Sequence, residues 1–88
     1  MKKIKDLINN EKKVYILLKN SSIAERFMQD AEAEDLTFGD GVKTTQRKPD
    51  DIMALLPDDS ICYVGFLGRI YRNSSQCVCV DYEEYLQQ

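Results

Sequence analysis

Ile52-Met53-Ala54-Leu55-Leu56-Pro57-Asp58-Asp59-Ser60-Ile61-Cys62-Tyr63-Val64-Gly65-Phe66 sets the expected topology. Two apolar, β-prone runs flank a short connection in which Pro57 presets a turn dihedral and the Asp side chains can bond nearby backbone, so a β-hairpin is expected. Leu67-Gly68 and Ile70-Tyr71 then lead to a second turn at Asn73-Ser74-Ser75, followed by Cys77-Val78-Cys79-Val80. The pattern from Ile52 to Tyr82 therefore reads as antiparallel β, with Tyr82-Glu83-Glu84-Tyr85-Leu86 as a terminal turn or short helix.

On the N-terminal side, Leu36-Thr37-Phe38 reads as a short strand running into a turn at Gly39-Asp40-Gly41. Ile23, Phe27 and Ala31, with Ala24 and Met28, form one apolar helical stripe, and Ser22 and Glu25 have capping-box spacing at its start. Val14-Tyr15-Ile16-Leu17-Leu18 is compact and β-branched enough to be a strand buried on both faces, stopped by Asn20-Ser21-Ser22. Ile4, Leu7 and Ile8 recur at helical spacing and predict a short amphipathic helix ending near Asn9-Asn10. The expected fold is α+β: one domain over residues 1–88, a small antiparallel β-sheet with one principal α-helix packed on it, and a short N-terminal helix.

Composition narrows the class. The chain has 88 residues, 12 Lys plus Arg against 15 Asp plus Glu, a net charge of −3 and 43% hydrophobic residues, as expected for one soluble domain. A chain of this size removes only about 60% of its unfolded surface from water, so sharing surface between subunits is an expected route to stability. The basic start meets Asp6 before any apolar run develops, and no stretch approaches the roughly 20 residues that span a bilayer, so a cytoplasmic protein without membrane partners is expected. Residues 1–20 carry a local charge of +4 and the remainder −7. A basic N-terminal face can meet phosphates but is read first as solvated, and the acidic remainder disfavours nucleic acid as the main partner.

The chain contains no histidine, which removes Ser-His and Cys-His nucleophile pairs, a histidine general base and the common His-containing metal sites. Cys62, Cys77 and Cys79 lack Cys-x-x-Cys spacing and read as small buried hydrophobes before they read as a zinc or redox site. Glu25, Asp30, Glu32, Glu34 and Asp35 read as a solvated helix face, and Asp58-Asp59 as turn residues. No cofactor is expected. The greatest functional variety lies in Phe66-Leu67-Gly68-Arg69-Ile70-Tyr71-Arg72-Asn73: Arg69 and Arg72 can bond phosphate, Phe66 or Tyr71 can stack on a base, and Asn73 can read a base edge or ribose hydroxyl. The same residues also suit an ordinary hairpin with two solvated arginines. Val42-Lys43-Thr44-Thr45-Gln46-Arg47-Lys48-Pro49 is a polar connection able to meet an anion, although it lacks the P-loop order of glycines and Lys.

Ala24-Glu25-Arg26-Phe27, Ala31-Glu32-Ala33-Glu34, Leu36-Thr37-Phe38-Gly39-Asp40-Gly41, the Asp51-to-Phe66 hairpin and Val80-Asp81-Tyr82-Glu83-Glu84-Tyr85 together resemble small proteins of phages and mobile elements. Within that group the chain looks most like the Thoeris anti-defence sponge proteins. The resemblance implies a non-enzymatic homo-oligomer that sequesters a cyclic ADP-ribose-type messenger without cleaving it. Its pockets would combine an aromatic stack, Arg–phosphate contacts and amide readout, for which Phe66, Arg69, Tyr71, Arg72 and Asn73 have the needed types. Arg47 or Lys43 would enter from elsewhere in the subunit or from a neighbour. The competing expectation is a phage inhibitor of a bacterial defence protein, similar to an anti-CRISPR protein, whose acidic helix mimics nucleic acid phosphates. A structural or interaction module of a mobile element is a further alternative.

Overall fold

The computed structural model describes residues 2–64 and 77–88. Among them the chain forms strand β1 (Lys13–Leu17), helix α1 (Ser21–Ala33), strands β2 (Thr37–Phe38), β3 (Ile52–Leu55), β4 (Ser60–Tyr63) and β5 (Cys77–Asp81), and helix α2 (Tyr82–Gln87). Two 3₁₀ turns, Ile4–Leu7 and Thr44–Gln46, complete the set. The α+β class and the principal helix agree with expectation. The N-terminal element is a single 3₁₀ turn rather than an amphipathic α-helix, because it is too short to close successive i→i+4 bonds.

The sheet is mixed, with strand order β2-β4-β3-β1-β5. β1–β3 and β3–β4 are antiparallel, whereas β1–β5 and β2–β4 are parallel. The hairpin forms as expected: Leu56 N–H donates to the Ser60 carbonyl at 2.9 Å, and Asp59 at φ 63° makes the turn. The antiparallel expectation fails at both edge strands, β2 and β5. Alternation of Val78 and Val80 shows that a strand exists but not which neighbour it takes. The outer edge of β4 is already paired with β2 through Thr37 and Phe38, so β5 lies instead on the open edge of β1, in register Lys13 to Cys77 through Leu17 to Asp81.

Alternation places Val14 and Ile16 of β1 and Met53 and Leu55 of β3 in the main core, against Phe27, Met28 and Ala31 of α1. The opposite set, Tyr15, Ile52 and Ala54, forms a second buried cluster with Val64. Tyr82, at the start of α2, meets Phe27 edge-on with ring centres 5.2 Å apart, and its hydroxyl donates to Asp30 at 2.5 Å. Burial and that carboxylate push the Tyr82 phenol far above its ordinary value.

Helix α1 begins on a different cap from the expected one. Asn20 has extended dihedrals and its side-chain oxygen accepts the Ile23 N–H at 2.9 Å, whereas Ser22 already lies inside the helix. Capping-box spacing was satisfied at Ser22 and Glu25, but Asn20 sits two residues earlier, next to the strand exit, and reaches the unpaired amides first. At the other end, Leu36 N–H donates to the Ala31 carbonyl and Asp35 N–H to that of Glu32, with Asp35 at φ 64°. This is a Schellman ending.

Asn20→Ala should cost about 1 kcal/mol in urea unfolding, while Ser22→Ala should stay within about 0.5 kcal/mol. The reverse order would restore Ser22 as the cap.

Candidate functional site

In the segment joining β2 to β3, residues 42–49 carry three basic side chains and no acidic one, and two hydroxyls fasten this stretch to α1. Thr44, fully buried, donates to the Met28 carbonyl at 2.6 Å, and Thr45 donates to Glu32 at 2.5 Å. Gly41, at φ 88°, turns the chain just before it, with Gly41 N–H donating to the Phe38 carbonyl at 2.8 Å. A Cβ at that φ would be strained, so the turn favours glycine. Lys43 bridges to Thr37 beside β2, and Arg47 and Lys48 follow on the same anchored segment.

Arg47 is held from two sides. Its Nη2 donates to Asp40 Oδ2 at 2.6 Å, and its guanidinium carbon lies 4.7 Å from the Phe38 ring centre. The guanidinium beside Asp40, followed by the Val42 backbone N–H, holds the Asp40 carboxyl below the usual carboxylate range. A guanidinium carries five N–H donors, so one carboxylate oxygen leaves it able to engage a further anion.

Phe38 also meets Tyr63 of β4, with ring centres 5.5 Å apart. Tyr63 is 45% exposed, the large apolar side chain left open to solvent among the described residues, and its hydroxyl donates to the Lys48 carbonyl at 2.7 Å. One buried ring, Phe38, thus supports an exposed aromatic face and a guanidinium, with the Lys48 backbone bonded to the Tyr63 hydroxyl. A cleft of about 380 Å³ adjoins this group, bounded by Arg47, Lys48 and Pro49 on one side and by Glu25, Met28 and Gln29 of α1 on the other. Gln46 contributes an amide to its lining. That volume lies within the range of small-molecule pockets.

Of the residues expected to bind ligand, Lys43 and Arg47 are the two the structure describes, and it brings both to this edge. Phe66, Arg69, Tyr71, Arg72 and Asn73 lie outside the described residues. Tyr63, Lys48 and Phe38 were missed as site residues. The sequence marks Phe38 and Tyr63 only as strand residues, and the signal that unites them is the β2–β4 pairing, which alternation does not reveal.

The acidic face of α1 is less solvated than expected. Asp30 accepts from Arg26 and Tyr82, Glu32 from Thr45, and both oxygens of Glu34 from the Ile4 and Lys5 amides. Glu25 and Asp35 are exposed, as expected. Two of the three cysteines depart from the buried-hydrophobe expectation: Cys79 is exposed and Cys62 half-buried, on an edge strand and the strand beside the opposite edge respectively. Burial pushes the Cys62 thiol up, which keeps it protonated near neutrality. Among the described residues no group of three His, Cys, Asp or Glu side chains is placed to hold a metal ion, and no helix is long and apolar enough to cross a membrane. The chain matches no family model, no curated protein and no solved structure.

By carbon-detected NMR, Asp40 should titrate below its ordinary 3.8. Because folding depresses this value, the Arg47–Asp40 contribution is present above the unfolded value and lost as pH falls through the folded one. Arg47→Gln should move the titration back toward 3.8, stopping short of it because the Val42 N–H remains. An unchanged midpoint would break the assignment to Arg47.

Proposed function

We propose that this protein is a non-enzymatic phage counter-defence protein that binds and sequesters a cyclic nucleotide messenger of the cyclic ADP-ribose type. The observation that carries the nucleotide chemistry is the pairing of Tyr63 and Arg47 on Phe38, with the Lys48 carbonyl accepting from the Tyr63 hydroxyl. An exposed ring is a platform for a base, because every base has a π-face. The guanidinium beside it matches phosphate oxygens, and Gln29 and Gln46 offer amide donors and acceptors in the adjoining cleft. The counter-defence setting rests on the sequence resemblance. Sequestration needs affinity alone, which suits a chain without histidine.

Asp40 has a defined part in this reading. As a carboxylate on Arg47 it orients the guanidinium but competes with a phosphate for it. Ligand binding therefore gains from a nucleotide rigid enough to present its phosphates at this edge without further ordering cost, as a cyclic one does.

Direct inhibition of a bacterial defence protein by acidic mimicry draws less support. Three of the helix carboxylates it would use, on Asp30, Glu32 and Glu34, already accept hydrogen bonds within the chain. Charge reversal at Glu34 would disturb the N-terminal turn as well as any partner.

Isothermal titration with cyclic ADP-ribose isomers and cyclic dinucleotides, coupled to native mass spectrometry, tests the proposal. A ligand should be retained and recovered chemically unchanged. Tyr63→Ala should lose about 1–3 kcal/mol of binding, whereas Tyr63→Phe, which keeps the ring, should retain most of it. Arg47→Gln should weaken binding by about 1.5–3 kcal/mol, and Asp40→Asn should strengthen it. Affinity untouched by Tyr63→Ala and Arg47→Gln in folded protein, or no binding across the panel, would overturn the reading.

A further inference from the structure

A second cleft, of about 620 Å³, shares no residue with the Tyr63–Arg47 edge. One wall is the N-terminal segment, which contributes Lys2, Lys3 and Lys5; the facing wall is α1 from its middle to its ending, which contributes Arg26 and the carboxylates of Asp30, Glu34 and Asp35. The segment is in no strand, yet it is firmly seated. Ile4 is fully buried, Glu34 accepts the Ile4 and Lys5 amides at 2.7 and 2.9 Å, and the Tyr85 hydroxyl donates to the Lys3 carbonyl at 2.6 Å.

Two consequences follow for the lining. Glu34 directs its oxygens to backbone donors and Asp30 directs its own to Arg26 Nε and the Tyr82 hydroxyl, so each is fixed in place by the fold. Arg26 spends Nε on Asp30 and keeps its Nη donors, and Lys2 and Lys3 enter no ion pair among the described residues. Lys2 lies over the Tyr85 ring at 5.2 Å and Lys5 pairs with Asp59 at 3.8 Å, so the cleft presents anchored acceptors together with two open cationic groups among the described residues, the Arg26 Nη atoms on the helix wall and Lys3 on the other. A polyphosphate would satisfy the cations but meet the carboxylates; a neutral polyol would satisfy the carboxylates and leave the cations unmatched. A phosphate ester that carries hydroxyl groups satisfies both.

We infer that this cleft binds the ribose-phosphate unit, as a free sugar phosphate or as part of a nucleotide, and that Glu34 assembles it by clamping the lysine-bearing segment against α1. Phosphate oxygens take Arg26 and Lys3, and sugar hydroxyls donate to the carboxylates. Glu34 is a positioning residue in this arrangement: it acts through the backbone of Ile4 and Lys5.

The test is titration of the full chain with ribose 5-phosphate, followed by isothermal calorimetry and by amide exchange at Ile4 and Lys5. Binding should be saturable and at least tenfold tighter than inorganic phosphate or ribose alone, and both amides should exchange more slowly when the probe is bound. Arg26→Gln combined with Lys3→Gln should abolish binding. Glu34→Gln, which removes one acceptor, should speed exchange at the two amides at least tenfold and weaken ribose 5-phosphate in parallel, with Ile16 still protected as proof of a folded core. Equal affinity for adenosine monophosphate would identify a nucleotide as the source, and its exclusion a free sugar phosphate. Arg47→Gln should leave all these readings unchanged, which separates this cleft from the messenger site. Slowing reproduced by sodium chloride at matched ionic strength, binding retained in the Arg26/Lys3 variant, or released amides with undiminished affinity in Glu34→Gln would overturn the inference.

Discussion

β1 is the strand on which the other elements depend, because it is hydrogen-bonded along both edges and packed on both faces. β3 pairs with it antiparallel and β5 parallel, while its side chains divide between the helix-covered core and the second cluster. A backbone so enclosed has no water to satisfy its amides and carbonyls, so every one must find a strand partner. Val14 and Ile16 are fully buried, and removing side chains of this size from water contributes about 1.5–3 kcal/mol each. Polar substitution at either would set that burial against an unmet hydrogen bond, and α1 would lose the floor on which Phe27 and Met28 rest.

The helix fastens the less regular parts. Thr44 and Thr45 tie the basic connection to α1, Glu34 ties the N-terminal turn to its ending, and Asp30 receives the hydroxyl of α2. Polar side chains on the outward half of an amphipathic helix are ordinarily assigned to solvent. Here several are the attachment points for segments that have no ladder of their own.

This explains what could be seen in advance. Apolar periodicity located β1, α1 and the β3–β4 hairpin, since each buries a face whose period is local in sequence. Partnership was not legible at the sheet's edges. Cys77 to Val80 announced a strand, but the claim of β2 on β4 determined where it had to go, and two residues of β2 carried no period at all. The candidate site followed the same rule. Lys43 and Arg47 stood out because basic residues cluster in a short polar stretch, whereas Tyr63 became relevant only when Phe38 brought it alongside Arg47.

The parallel pairing of β1 with β5 has a temporal side. Lys13 and Cys77 are partners across most of the chain, and at about 5–20 residues per second they leave the synthetic machinery several seconds apart. During that interval β1 has an unmatched edge next to a strongly apolar sequence. The nascent chain must wait with β1 half-complete, open to pairing with any extended neighbour, and contacts so distant in sequence form slowly. Lys12 and Lys13 at the start of β1 and Lys19 just past its end place charge beside that open edge throughout the delay. Charge at the ends of an apolar strand is a general guard against pairing outside the chain while its proper partner is still being made.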